Sequence, residues 1–330
     1  MFSFAVPILA QPDALIVDTT SDSDLRGCLN AVPNDCSLRG AINLANSVAG
    51  DDTITFDPAV FSTPQIINLT TTLPLLTTNM VIDGPGANLL TVRRDNSGSY
   101  RIFAIFTSST VSIDGLTIAN GNLGQGSGIL NQGTLTLTNS TVSGNTATGT
   151  IGGGIRNDGT LTVIDTTVSG NSALFGGGIY SNGTLIVSRS TFNSNTASDS
   201  NNSGNGGGIF VNQGTATVSN STFSGNSALS TGGGIFNGGA LTVYNSTLYN
   251  NLASSGGNVM QFAGTVTLRN TIVANGTAWA RSPMVATILL ILMRAAAFPP
   301  ALAVTRYLDH FKITVDQPSP IYRERVVRRR

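Results

Sequence analysis

The chain of 330 residues has room for one long domain or two ordinary ones, and only 10% of its residues are charged. Residues 1–276 contain no Lys, Glu, His or Trp; fourteen Asp against eight Arg leave this body at −6, and the remaining residues carry the +6 that brings the chain to zero. A mildly acidic, Lys-free body excludes an ordinary nucleic-acid-binding surface.

In chain order, Met1 to Ala10 (MFSFAVPILA) is apolar but lacks a basic start and a small-x-small cleavage site. It reads either as the remnant of a secretion signal or as a buried first strand. Cys28 and Cys36 are the only cysteines. Two are too few for a structural zinc site, so the pair reads as a disulfide, with two free thiols as the alternative. Then comes Cys36-Ser37-Leu38-Arg39-Gly40-Ala41-Ile42-Asn43-Leu44-Ala45-Asn46. Leu38, Ala41, Ile42 and Ala45 fall at i, i+3, i+4 and i+7, which predicts a short amphipathic helix with Ser37 as its N-cap. Strands are expected at 53–56, 65–69, 80–82, 90–92, 101–106, 111–113 and 116–118, without a strict repeat.

From Gly126 the pattern becomes periodic. Gly126-Ser127-Gly128-Ile129 is followed by three glycines and an isoleucine four times: Gly152, Gly153, Gly154 and Ile155; Gly176, Gly177, Gly178 and Ile179; Gly206, Gly207, Gly208 and Ile209; Gly232, Gly233, Gly234 and Ile235. Gly256-Gly257-Asn258-Val259 is a worn last copy. The aligned apolar positions step by 26, 24, 30, 26 and 24, the mark of a repeat architecture. Each copy carries an Asn/Gly turn, an alternating run such as Leu161-Thr162-Val163, and a third run such as Thr167-Val168-Ser169 closed by Gly170-Asn171. Three short half-buried strands per repeat, with Gly and Asn at the corners, describe one coil of a parallel β-solenoid. Ile155, Leu161, Val163 and Val168 point inward and stack on their counterparts at ~4.8 Å. Like charges stacked that closely repel, so Thr, Ser and Asn hold the outer face. The long step of 30 contains Ser200 to Gly204, read as a loop bulging between coils. Asn145, Asn171, Asn195 and Asn226 recur at one corner, either to ligate something or, by analogy with other stacked strands, as a ladder of amides.

After residue 276 the repeat stops, and every Lys, Glu and His of the chain lies beyond it. The apolar run Val285 to Met293 is too short for the ~20 residues a membrane span needs.

The chain resembles a known family on these motifs. CSLRGAINLAN, with Gly50-Asp51-Asp52-Thr53-Ile54-Thr55-Phe56 and Asp83-Gly84-Pro85-Gly86-Ala87, is similar to the CSLREA-type domain that heads many bacterial surface and secreted β-helix proteins. The GGGI copies, with Phe192-x-x-Asn195 and Phe223-x-x-Asn226, are similar to the GGAI and FxxN repeats of polymorphic outer-membrane proteins. The family has Glu where this chain has Gly40, which removes a capping box; restoring Glu is expected to stabilise by about 1 kcal/mol. The resemblance also bears on the end of the chain. Read one frame over, the codons of Lys312 to Arg329 permit Gly-Gly-Pro-Thr-Leu-Thr-His followed by Pro-Gly-Thr-Gly-Ser-Pro-Ala, which looks like the segment that closes β-helices of this family. Residues 277–330 are therefore expected to be a frameshifted, non-native tail.

The expected fold is all-β: a right-handed parallel β-helix, a pectin lyase-like solenoid, with a short N-terminal capping helix. Its divisions are an N-terminal segment (1–25), a CSLREA-like cap with the first irregular coils (26–110), regular coils (111–276) and the tail (277–330). Two functions survive. One is a non-catalytic secreted or cell-surface stalk or adhesin-like scaffold, its partner a surface carbohydrate or protein. The other is a polysaccharide lyase or glycoside hydrolase on the same scaffold, because fold alone does not decide activity. Enzymes of this kind need paired carboxylates, or carboxylates holding Ca²⁺ beside a base. The repeats offer Asp114, Asp158, Asp165 and Asp199 with Arg156, Arg189 and Arg269. Asp165 and Arg189 occupy one position of successive coils and are expected to form a surface ion pair, and no two Asp are expected to stack. The reading is no catalytic residues, no cofactor, no metal, no nucleic acid, no transmembrane helix, and a place outside the cell or on its outer surface.

Overall fold

The structure is a computed structural model that describes residues 15–28, 32–47, 50–95, 98–199 and 203–276, with the backbone alone of Val285–Thr287. Met1 to Ala10, Ser200 to Asn202 and, apart from that backbone, the tail lie outside the described residues, and with them the expectations placed there.

Among the described residues every strand pairs in parallel with the equivalent strand one coil away, and they form four sheets. Sheet I has eleven strands, from Leu15–Val17 to Val285–Thr287. Sheet II has nine, from Gln65–Leu69 to Ile272–Ala274, and sheet III seven, from Phe103–Ile105 to Val259–Gln261. Sheet IV is a short fourth side of four strands: Thr146–Ile151, Ser172–Phe175, Thr196–Ala197 and Ser227–Ala228. The regular coils are thus four-sided where three strands were expected. Two-residue Thr-Ala or Ser-Ala strands are too short to show an alternating pattern.

The register follows the sequence alignment. Ile129, Ile155, Ile179, Ile209, Ile235 and Val259 are consecutive partners in sheet III, and the isoleucines have no exposed surface. Leu161, Val163 and Val168 are equally buried, and Phe192 and Phe223 stack inside with centroids 4.6 Å apart. Each such side chain contributes roughly 1.5–3 kcal/mol by leaving water. The first glycine of each GGGI run takes φ of +66° to +69° (Gly152, Gly176, Gly206, Gly232), a backbone that disfavours side chains. The other two glycines admit the next coil: a Cβ on Gly153 would lie 2.4 Å from the Ser172 carbonyl oxygen.

The corner asparagines form the ladder. Asn145 Nδ2 donates to Asn171 Oδ1 (3.0 Å), Asn171 to Asn195 (2.9 Å), Asn195 to Asn226 (2.9 Å) and Asn226 to Asn251 (2.8 Å), all buried. Each oxygen also accepts the backbone N–H of the preceding asparagine. These amides satisfy buried polar groups that a coil of this shape otherwise strands. A second ladder was not foreseen: the N–H of Ser140, Thr166, Ser190 and Ser221 each donates to the hydroxyl of the next coil, ending at Ser246.

The helix Leu38–Ser47 covers the first coil as expected, with Leu38, Ala41, Ile42 and Ala45 fully buried and Ser37 Oγ accepting the Gly40 N–H at 3.0 Å. A disulfide joins Cys28 and Cys36 beside it. The Gly40 expectation is overturned. A Cβ at Gly40 would stand 1.6 Å from the Leu25 carbonyl oxygen. Glycine is there because the helix lies directly on backbone, and no capping gain from Glu offsets that clash.

Candidate binding surface

The acidic residues singled out in the sequence do not gather. Asp165 and Arg189 form the expected pair one coil apart, with Arg189 Nε and the second guanidinium nitrogen donating to the two carboxylate oxygens at 2.8 and 2.7 Å. Both are well exposed, and the Arg189 hydrogen bonds lower the Asp165 pKa. Arg156 and Asp158 pair within one turn at 2.7 Å, and Asp158 also accepts from Asn182 (2.7 Å). Asp199 accepts the Ser203 N–H at 2.8 Å. Among the described residues no three His, Cys, Asp or Glu converge as a metal site, and no helix is long and apolar enough to cross a membrane.

One expectation about carboxylates is corrected. Asp83 and Asp114 are register partners on the outer face of sheet I, so two Asp do stack. Asp114 is engaged by the Thr138 hydroxyl and by Asn139 Nδ2 (2.7 Å). A signal was present: each is the middle residue of an Ile-Asp-Gly run, Ile82 to Gly84 and Ile113 to Gly115, in the region where strict spacing fails. Asp51 and Asp52 point apart, as neighbours on a strand must. Asp51 accepts from Asn79 (3.0 Å) at the surface. Asp52 is 1% exposed, in line with the core residues Met80 and Val111, and neither of its oxygens has a hydrogen-bond partner. Burial, and then the neighbouring Asp51, raise its pKa.

The outer surface carries two further features. The residue after each GGGI isoleucine lies on the other face of sheet III, and three of them stack: Tyr180 on Phe210 (centroids 5.2 Å) and Phe210 on Phe236 (4.4 Å); Phe262, just past the strand Val259–Gln261, stacks on Phe236 (5.6 Å). Phe175, Ile151 and Met260 flank the stack, which leaves the first three rings 7–8% exposed and Phe262 74% exposed. The second is a depression of about 510 Å³ on sheet I, lined by Thr242, Tyr244, Asn245, Thr267, Arg269 and Asn270. Its geometry follows from two strands in register, Ala240–Tyr244 and Thr265–Arg269, in which Tyr244 partners Arg269 and Thr242 partners Thr267. Asn245 and Asn270 follow with φ of 50° and 44°, a left-handed backbone asparagine tolerates. Their amides are linked, Asn270 Nδ2 to Asn245 Oδ1 at 3.3 Å.

A family model described as right handed beta helix region matches residues 87–248, the span from the irregular coils through most of the regular ones. The chain is a right-handed parallel β-helix. No curated protein and no solved structure matches it. The family match carries the architecture of this β-helix and leaves its activity to the chemistry of its surface.

Proposed function

We propose that this β-helix is a non-catalytic secreted or cell-surface scaffold, a stalk with an adhesin-like binding surface, with a CSLREA-type head and repeats of the polymorphic outer-membrane-protein kind. The observation that carries the reading is the state of the surface carboxylates in the repeats: Asp114, Asp158 and Asp165 each hold a neighbouring Thr, Asn or Arg. A general acid or base needs reach to a substrate proton, and these groups are occupied in contacts with neighbouring side chains of the same chain. The disulfide beside the cap favours an oxidising compartment. The stack supports a rigid rod, and rigid rods present partner sites at fixed intervals.

The alternative, polysaccharide cleavage, is favoured by one observation: the stacked Asp83 and Asp114 on an open face. Incubating the purified chain with neutral and acidic polysaccharides separates the two. The scaffold reading expects no new reducing ends and no unsaturated uronate. Product formation that stops in Asp114→Asn would replace it with the enzyme reading.

A further inference from the structure

We propose that the depression around Arg269 is a binding subsite for an anionic sugar, a uronate or sulfated residue of a glycan. This rests on the scaffold reading and names the ligand class of that surface.

The first observation is the state of the arginines. Arg26 and Arg39 pair with Asp24 and Asp22, Arg156 with Asp158, and Arg189 with Asp165. Arg93 donates to Asn68 Oδ1, and Arg94 and Arg101 to backbone carbonyls. Of the arginines among the described residues, only Arg269 has a side chain with neither a hydrogen bond nor an ion pair to another described residue. A guanidinium offers five donors in a planar fork that matches a carboxylate or sulfate two at a time.

The second observation is the charge around it. Residues 200–276 contain no Asp and no Glu, and Arg269 is their only charge. No carboxylate of this stretch therefore competes for its donors, in a body (residues 1–276) that is otherwise acidic. A lone cation on an acid-free stretch selects an anion by position rather than by net charge.

The third observation is what surrounds the guanidinium. Tyr244, 37% exposed, is its partner one coil away. A phenol ring offers an apolar face for the C–H side of a pyranose and a hydroxyl for a hydrogen bond. The amides of Asn245 and Asn270 and the hydroxyls of Thr242 and Thr267 supply donors and acceptors for sugar hydroxyls. An inorganic anion has no use for the ring, and a neutral sugar leaves the guanidinium unused. The set as a whole fits a charged pyranose. The equivalent position elsewhere on sheet I does not: Arg269 and Tyr244 are preceded in their column by Ser219, Ser188 and Ile164.

The test is affinity electrophoresis of the full chain through gels containing polygalacturonate, dextran sulfate or neutral dextran. Retardation is expected in polygalacturonate or dextran sulfate, which tells a carboxylate preference from a sulfate one, and not in neutral dextran. Arg269→Gln should weaken it by roughly tenfold or more, as for loss of hydrogen bonds to a charged group. Tyr244→Ala should weaken it too, and added salt should weaken wild type more than Arg269→Gln. Arg93→Gln, an exposed arginine on sheet II, is the control and should bind as wild type. Equal retardation of wild type and Arg269→Gln, or no retardation by either anionic polymer, overturns the proposal. Retardation by neutral dextran alone overturns it and leaves the scaffold reading standing, whereas cleavage of a gel polymer removes the scaffold reading itself.

Discussion

The first coils and the repeated coils solve the same packing problem differently. Below residue 95 the contacts are unique. Arg39 spans from Asp22 to the carbonyls of Thr71 and Thr72, Asp18 accepts the Cys36 N–H, and a helix and a disulfide seal the end. From Gly126 onward one solution is reused, with the same glycines, the same amide ladder and the same hydroxyl ladder in successive coils. An end must bury an open core once, against something of a different shape. A middle coil meets only copies of itself. Single substitutions should therefore act globally at the head and locally in the middle.

The largest effect is expected at Gly40. Gly40→Ala, and equally Gly40→Glu, should destabilise by roughly 3 kcal/mol, the upper range for overpacking against backbone. Urea denaturation with limited proteolysis of the head will check this; unchanged stability would mean that the helix does not sit on Leu25. Next is Asn195→Ala in the middle of the ladder. It removes the partner of Asn171 and Asn226 and leaves buried groups unpaired, for a loss of about 2 kcal/mol. The same denaturation should then show a small early transition rather than unfolding of the whole stack.

Asp52 sharpens the comparison through pH. Its folded pKa is raised, so the native state binds the proton more tightly than the unfolded one. Stability therefore falls as pH rises from the unfolded value near 3.9 through the folded one, and the penalty is complete above it. Asp52→Asn should be more stable than wild type at pH 7, with the two converging at acid pH. A wild type that loses nothing over that range would contradict the unpartnered carboxylate. The smallest effect is at the exposed Asp165–Arg189 pair: Arg189→Gln should leave the urea midpoint unchanged within error.

Much of the fold was legible because stacking makes the sequence repeat. The GGGI runs predicted the core column, Ser37 predicted the cap, and the amide ladder was one of two readings of Asn145, Asn171, Asn195 and Asn226. What was missed lies where the repeat is silent. Gly40 is explained by Leu25, fifteen residues away in a unique contact, which helix propensity does not register. Sheet IV shows no plain alternation: two of its strands have two residues each, and the register of the two longer ones shifts between Ala147 and Ile151. Asp83 and Asp114 stack across coils of unequal length, so spacing alone did not align them. The candidate site was only partly visible. Arg269 is one of three arginines that the repeats offer in sequence, but Tyr244 and the two asparagines gain meaning only when the coils are laid side by side, and the state of the Arg269 side chain among the described residues is a property of space.

Native-state hydrogen exchange tests the central contrast most directly. The amides of Ile179, Ile209 and Ile235 each donate to the coil above in the middle of the stack, with laddered coils on both sides. They should exchange slowest, through global unfolding alone, while the amides of Leu252 and Ile272, in the final coils, exchange faster by local opening. Slower exchange at Leu252 and Ile272 than at Ile179 and Ile209 would contradict the claim that the reused ladders hold this β-helix together.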